Sequence, residues 1–283
     1  MNLAAGSINL AGRTLINLSL RGEDWRRARL QMTNMLEADL EGVDLSGAFL
    51  QSADLRRAKL TGVDLTGADL SMVRMDESVL IDVCLMEAKM TGASVLAGRW
   101  NRVRAAGLNV QRCCGLQLEW VDVIMPEVKL TEADLTQSRW VQVVAVRASG
   151  ARLKAHGVGL DHCDLKSAKL PEAILSHAEC TGVDFRHAEL SRTQAQQSEF
   201  VRCDFRGANL HYLDGERAQF HGCRFAGANL KHANLLGANL LNARELTAEQ
   251  LLSARIDDRT ILPNGSRGPY RRHSGAERPK SLC

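Results

Sequence analysis

What this chain lacks narrows it before any motif does. No run of about twenty apolar residues occurs, because polar residues interrupt every candidate, so no membrane span is expected. No apolar segment near the start reads as a signal-peptide core. Aromatic residues make up 4% of the 283 residues, so the interior must be built mainly from smaller apolar side chains. Neither sign of charge dominates, the formal net charge being +3. Eight cysteines are present without a CxxC pair, which excludes the spacing of a disulfide framework and points to free thiols in a reducing cytosol. The nucleophile elbow GxSxG and the phosphate-binding GxxxxGK[ST] are both missing. His177-Ala178-Glu179 and His187-Ala188-Glu189 match fragments of a zinc-deaminase signature, but the half with Pro and paired Cys is absent.

What is present is a period. From Leu10 to Leu240 every fifth residue is Leu, Met, Val, Phe, Trp, Ala, Gly or Cys, and the phase never slips. Two residues before each stands a second column of mostly small residues: Ala38, Val43, Ala48, Ala53, Ala58, Val63, Ala68. A period of five fits neither a helix nor a flat strand. It describes a chain that turns a corner every five residues, which makes this a repeat architecture. Glycine recurs just before the small column, at Gly42, Gly47, Gly62, Gly67, Gly182 and Gly222, where a type II turn requires positive φ.

The run GVDLTGADL at Gly62–Leu70 and the runs GANL at Gly207–Leu210, Gly227–Leu230 and Gly237–Leu240 resemble the pentapeptide-repeat family, over roughly residues 3–244. The resemblance implies an all-β solenoid, a right-handed quadrilateral β-helix with four pentapeptides in each 20-residue coil. About twelve coils at ~4.8 Å would make a rod of roughly 55–60 Å. Residues i and i+20 would then stack. Trp100, Trp120 and Trp140 share a column, as do Phe200 and Phe220, and Phe185, Phe205 and Phe225 share the next. Small residues such as Ala105, Gly115, Ala145 and Gly150 accompany the tryptophans, which keeps the volume of each coil near constant. These rings are expected to fill the core as a ladder; the other reading turns the tryptophans outward as anchors for a partner. Charges alternate in the same columns: Arg112, Glu132, Arg152, Glu172, Arg192; Arg99, Glu119, Arg139; Asp82, Arg102, Asp122. They are expected to form ladders on solvated faces. Asp161-His162-Cys163-Asp164 is rich in ligand atoms, but Cys163 falls in the inward column and its neighbours outside it. No histidines stack at spacing twenty, so no metal or other cofactor site is expected.

The repeat domain is expected over 1–245, with a C-terminal cap over 246–263. Thr247 and Gln250 form a capping box, and Leu251 and Leu252 supply the apolar side of a short helix reaching about Ala254. Asp257–Pro263 reads as an extended closing segment. Residues 264–283 lack periodicity and carry Arg267, Arg271, Arg272, Arg278 and Lys280 against Glu277. They read as a basic, disordered tail, or as an arm that touches nucleic acid or an acidic surface. The N-terminal coil has no such lid. Leu3, Ile8 and Leu10 are already in phase, while Arg13 and Glu23 stand in the small inward column. That end would stack into a homodimer, dock a partner, or fray.

One stretch departs from the pattern. Between residues 116 and 148 outward positions become apolar: Val121, Ile124, Pro126, Val141, Val144 and Val146, with Leu96 and Leu116 on the adjoining face. The matching columns elsewhere hold Asp164, Lys166, Asp184, Arg186, Asp204 and Arg206. A contiguous apolar patch marks an interface, unless the mid-section covers it with its own side chains. The expected function is a non-enzymatic interaction scaffold or adaptor in the cytoplasm, with an unidentified protein partner docking on this patch. The resemblance offers a second reading, a DNA mimic that modulates a type II topoisomerase such as gyrase, which would require a strongly acidic surface. A third is a secreted bacterial effector or secretion-system accessory protein. Nucleic-acid binding is not expected of the nearly neutral repeat.

Overall fold

The computed structural model describes residues 8–279, so Leu3 lies outside the described residues. Two compact units divide the chain, Met1–Val144 and Ala145–Cys283. Coils of a solenoid touch only their neighbours, so no common core ties distant coils together.

In the first unit each coil of twenty residues contributes one three-residue strand to the same wall. These are β1 (Ser19–Arg21), β2 (Asp39–Glu41), β3 (Lys59–Thr61), β4 (Val79–Ile81), β5 (Arg99–Asn101), β6 (Glu119–Val121) and β7 (Arg139–Val141). They pair in parallel with i opposite i+20, from Leu20↔Leu40 to Trp120↔Trp140. The other three walls pair through single parallel bridges such as Asp44↔Asp64, Phe49↔Asp69 and Asp54↔Arg74. This is the quadrilateral β-helix, with a side of five residues.

Corners explain the period. At Leu45 the carbonyl accepts the amide of Ala48 at 3.0 Å, and at Leu50 that of Ala53 at 3.0 Å. The residue between them turns left-handed: Gly47 has φ 63° and Ser52 φ 57°. Glycine takes this place as expected, but Arg57, Met72, Glu77 and Arg112 take it too. A left-handed non-glycine residue costs about 1–2 kcal/mol. The next coil offsets that cost, because each such amide donates to it: Ser52 to the carbonyl of Ser71 and Arg57 to that of Asp76, both at 2.9 Å.

The inward columns make the core. Trp100 and Trp120 are 1% exposed and Trp140 2%; all three fill the interior and none serves as an outward anchor. Their ring centroids lie 5.6 and 4.7 Å apart. The volume argument holds at Gly115, where a Cβ would stand 2.8 Å from a methyl of Leu135. At the start of the unit Leu10, Leu15, Leu18, Leu20 and Trp25 are half-buried, and Arg13 and Glu23, in inward columns, are exposed.

The second unit repeats the plan with β8 (Gly159–Asp161), β9 (Glu179–Thr181), β10 (Glu199–Val201) and β11 (Gln219–His221). Phe185, Phe205 and Phe225 stack with centroids 5.1 and 5.4 Å apart, and Phe200 stacks on Phe220 at 5.1 Å. Helix α1 (Ala248–Ser253) follows the last coil. Its capping box is complete: Thr247 Oγ1 accepts the Gln250 amide at 3.2 Å, and Gln250 Oε1 accepts the Thr247 amide at 2.7 Å. Gln250 Nε2 also donates to the carbonyls of Phe225 and Ala228, both at 2.8 Å. Leu251 seats in the core at 1% exposure, but Leu252 is 43% exposed. Successive helical residues diverge by about 100°, so only one of the two expected leucines can face the last coil. The closing segment extends the ladder through Asn234↔Arg255 and Asn239↔Ile261.

The expectation of a disordered tail fails for residues 264–279. Ile261 pairs antiparallel with Arg267, the amide of Gly268 donates to the carbonyl of Thr260 at 2.8 Å, and Tyr270 and Ala276 are buried. The packing comes from isolated apolar residues held by turns, which a search for periodicity does not register.

Candidate interaction surface

The outward apolar positions of the first unit converge around one corner. Val121 and Val141 are register partners on β6 and β7, and on the next wall Ile124 bridges Val144. Pro126 is set one coil above Gly107, whose amide donates to its carbonyl at 2.9 Å. Ile124 is 49% exposed, Val121, Pro126, Val141 and Val144 are half-buried, and on the adjoining wall Leu116 is 37% exposed beside half-buried Leu96. Strand geometry persists here although the consensus fades. Val146 belongs to the second unit and is half-buried there.

Sequence reasoning stopped the patch one or two coils short. Ile81 occupies the column of Val121, with Asn101 between them in register. A shallow hollow around Asn101 is lined by Val79, Ile81, Trp100 and Val121. Its rim is made of ion pairs: Arg102 with Asp82 at 2.7 Å and Arg99 with Glu119 at 3.9 Å. Met86, 41% exposed, adds to the wall of Ile124. Reading the columns at spacing twenty upstream of residue 116 would have found both Ile81 and Met86.

In the second unit the columns of Ile124 and Pro126 are polar and self-neutralised over residues 164–206. Arg186 lies on Asp184 with contacts of 2.5–2.9 Å, and Arg206 on Asp204 at 2.6–3.0 Å. Each carboxylate also accepts the amide two residues on. Burial works against ionisation of Asp184 and Asp204, yet the bonds from Arg186 and Arg206 outweigh it and hold both carboxyls below the usual range. The long charge ladder is only partly made: Arg112 meets Glu132 at 3.1 Å, while Arg192 lies over the ring of Tyr212, 5.5 Å from its centroid.

Thiols line the interior of the second unit. Cys163, Cys180, Cys203 and Cys223 are buried and form no disulfide, and burial pushes the Cys180 and Cys223 thiols far up, which makes them unreactive. His162, exposed, hydrogen-bonds Asp161 at 2.6 Å, while Cys163 points inward. Among the described residues no three His, Cys, Asp or Glu side chains converge as metal ligands. No helix among them is long and apolar enough to cross a membrane.

The profile described as Pentapeptide repeats matches this chain in eight copies, at residues 9–47, 33–71, 53–92, 163–198, 185–214 and 216–244. The unmatched stretch between 92 and 163 holds the apolar corner. No curated protein sequence matches the chain. Among solved structures it is similar to HetL, a pentapeptide repeat protein involved in heterocyst differentiation regulation in the cyanobacterium Nostoc, with 19% identity, TM-score 0.33 and 94% of each chain covered. It is also similar to QnrB1, a plasmid-mediated fluoroquinolone resistance protein, with 16% identity, TM-score 0.28, and 74% of this chain and 90% of that one covered.

Proposed function

The chain belongs to the pentapeptide repeat family, and from that premise we propose that it is a non-enzymatic scaffold that holds a protein partner on the apolar corner of its first unit. The observation that carries this reading is the exposure of Ile124 and Leu116, at 49% and 37%, beside the stacked Val121–Val141 and Ile124–Val144 pairs. A β-helix keeps its fold through the inward columns, so outward columns are free to serve a partner. Water-facing apolar side chains in adjoining columns add little to the coils that carry them and gain most free energy when covered. The ion pairs at the rim suit a polar surround.

A duplex-like acidic face, which topoisomerase mimicry requires, is poorly supported, because Arg186 and Arg206 neutralise the acidic column where it is most regular. Buried thiols outside any disulfide favour a reducing, cytoplasmic setting over secretion.

The test is the quadruple variant Val121→Ser, Ile124→Ser, Val141→Ser, Val144→Ser in affinity capture from native lysate. The expected outcome is loss of the captured partner with unchanged circular dichroism. Unchanged capture would remove the patch from the account. Inhibition of gyrase supercoiling by micromolar protein would favour mimicry instead.

A further inference from the structure

The tail of the second unit folds into a hollow. Its floor is Leu262 and Ala276, both buried, and its rim carries Arg267, Arg271 and the hydroxyls of Ser266 and Ser274. No carboxylate lines it. Two acids of the same segment are engaged elsewhere: Glu277 accepts the Tyr270 hydroxyl at 2.9 Å and faces Arg278 at 3.9 Å, and Asp257 binds Arg259 at 2.7 Å. Among the described residues neither Arg267 nor Arg271 closes an ion pair. Asn264 Oδ1 accepts from the amide and the hydroxyl of Ser266, at 2.9 and 2.7 Å.

The hollow is held by backbone. The Leu262 amide donates to the Ser266 carbonyl at 2.8 Å, Gly268 to Thr260 at 2.8 Å, and Ser274 to Arg271 at 3.1 Å. Gly268 has no room for a side chain. A Cβ there would collide with the Asp257 carbonyl oxygen and stand 2.8 Å from Ile256 Cγ2. So the two guanidiniums flank a loop whose path is set by tight packing, unlike charges on a free tail.

We propose that this hollow binds a terminal phosphate group, either the free anion or a phosphomonoester. Two guanidinium forks offer paired N–H donors to a tetrahedral oxyanion. Their combined charge matches the roughly −1.5 to −2 of a monoester at neutral pH better than the single charge of a diester. The site is separate from the apolar corner and does not depend on the scaffold reading.

The experiment is isothermal titration of the full chain in chloride buffer, with inorganic phosphate and O-phosphoserine in separate arms. Saturable binding is expected. Binding of phosphate alone assigns the hollow to the free anion, and binding of both assigns it to a phosphomonoester. Arg267→Gln with Arg271→Gln should weaken binding about tenfold or more. Gly268→Ala retains every charge but displaces the loop, and should weaken binding to a similar degree. Arg272→Gln, on the same tail but outside the hollow, should leave it unchanged. Proton NMR of the buried Tyr270 ring reports whether each variant keeps the tail packed. The proposal is overturned if neither ligand saturates the wild type, or if Arg272→Gln weakens binding as much as the double variant. It is equally overturned if a short oligothymidine without terminal phosphate binds as tightly as phosphate.

Discussion

The two units share one backbone and differ in what they show to water. At the column that reads Asp164, Asp184, Asp204 in the second unit, the first unit begins alike with Asp24, Asp44 and Asp64, but its later coils read Cys84, Arg104, Ile124, Val144. Two residues on, Lys166, Arg186, Arg206 face Met86, Ala106, Pro126. The parallel bridges at these positions persist in both: Asp184↔Asp204 and Ile124↔Val144. The difference teaches that outward chemistry is not needed for a coil to close. An apolar inward position every five residues and the corner hydrogen bonds do that, and this pattern is the same in each unit. The interiors differ as well, one filled by tryptophans and the other by paired phenylalanine stacks.

The largest blow to this comparison is struck inside. Trp120→Ala in the first unit and Phe205→Ala in the second should each cost about 3–5 kcal/mol in denaturant unfolding. A cost under about 1 kcal/mol at either ring would mean that the two cores are not equivalent ladders. A finer version separates the tryptophans. The Trp120 indole N–H is buried without a partner, whereas that of Trp140 donates to Ser138 Oγ at 3.1 Å. An unmet buried donor costs about 1–3 kcal/mol, so Trp120→Phe should be better tolerated than Trp140→Phe by roughly 1 kcal/mol.

The polar columns should respond to acid. Arg26, through its side chain and then its amide, holds Asp24 at about 2, down from 3.8. The Arg56 side chain lowers Asp54, and Asp184 and Asp204 are lowered despite their burial. In each case the folded pKa lies below the unfolded one. The stabilisation is therefore complete above about pH 4 and is lost as pH falls through the folded values. Tm should be flat between about pH 5 and 7 and drop steeply below about 4. Asp204→Asn should flatten that drop. A protein whose Tm is indifferent to pH down to 2 would show that these pairs carry nothing.

The smallest effects belong to the exposed faces. Arg102→Gln breaks a bidentate contact with Asp82 that is half-exposed on both sides, and should lower Tm only slightly, less still in high salt. Replacing Ile124 by Asp and Pro126 by Arg writes the second unit's pair into the first, and should shift stability by no more than about 0.5 kcal/mol while abolishing partner capture. A large loss of stability there would show that the apolar corner is part of the fold and not a surface.

The architecture was legible because a fixed inward position every five residues can be met only by a corner at the same interval. The aromatic ladders followed from spacing alone: Trp100, Trp120 and Trp140 fall in one column by arithmetic and lie in one column in space. The capping box was legible too, because Thr247 and Gln250 satisfy each other within one turn. Ile81 and Met86 were not legible as part of the patch because Asn101 and Ala106 interrupt their columns before Val121 and Pro126.

The sequence by itself determined which side chains face inward and which coils stack, since five-residue periodicity is a local rule that every repeat restates. Only the tertiary structure decided that Leu251 and not Leu252 enters the core, that Arg192 leaves its charge ladder for Tyr212, and that the basic tail packs into a hollow. Those outcomes depend on non-periodic contacts between residues brought together by the fold: Gln250 on the carbonyl of Phe225, Gly268 against Asp257, Tyr270 on Glu277. A period registers what repeats, and each of these contacts occurs once.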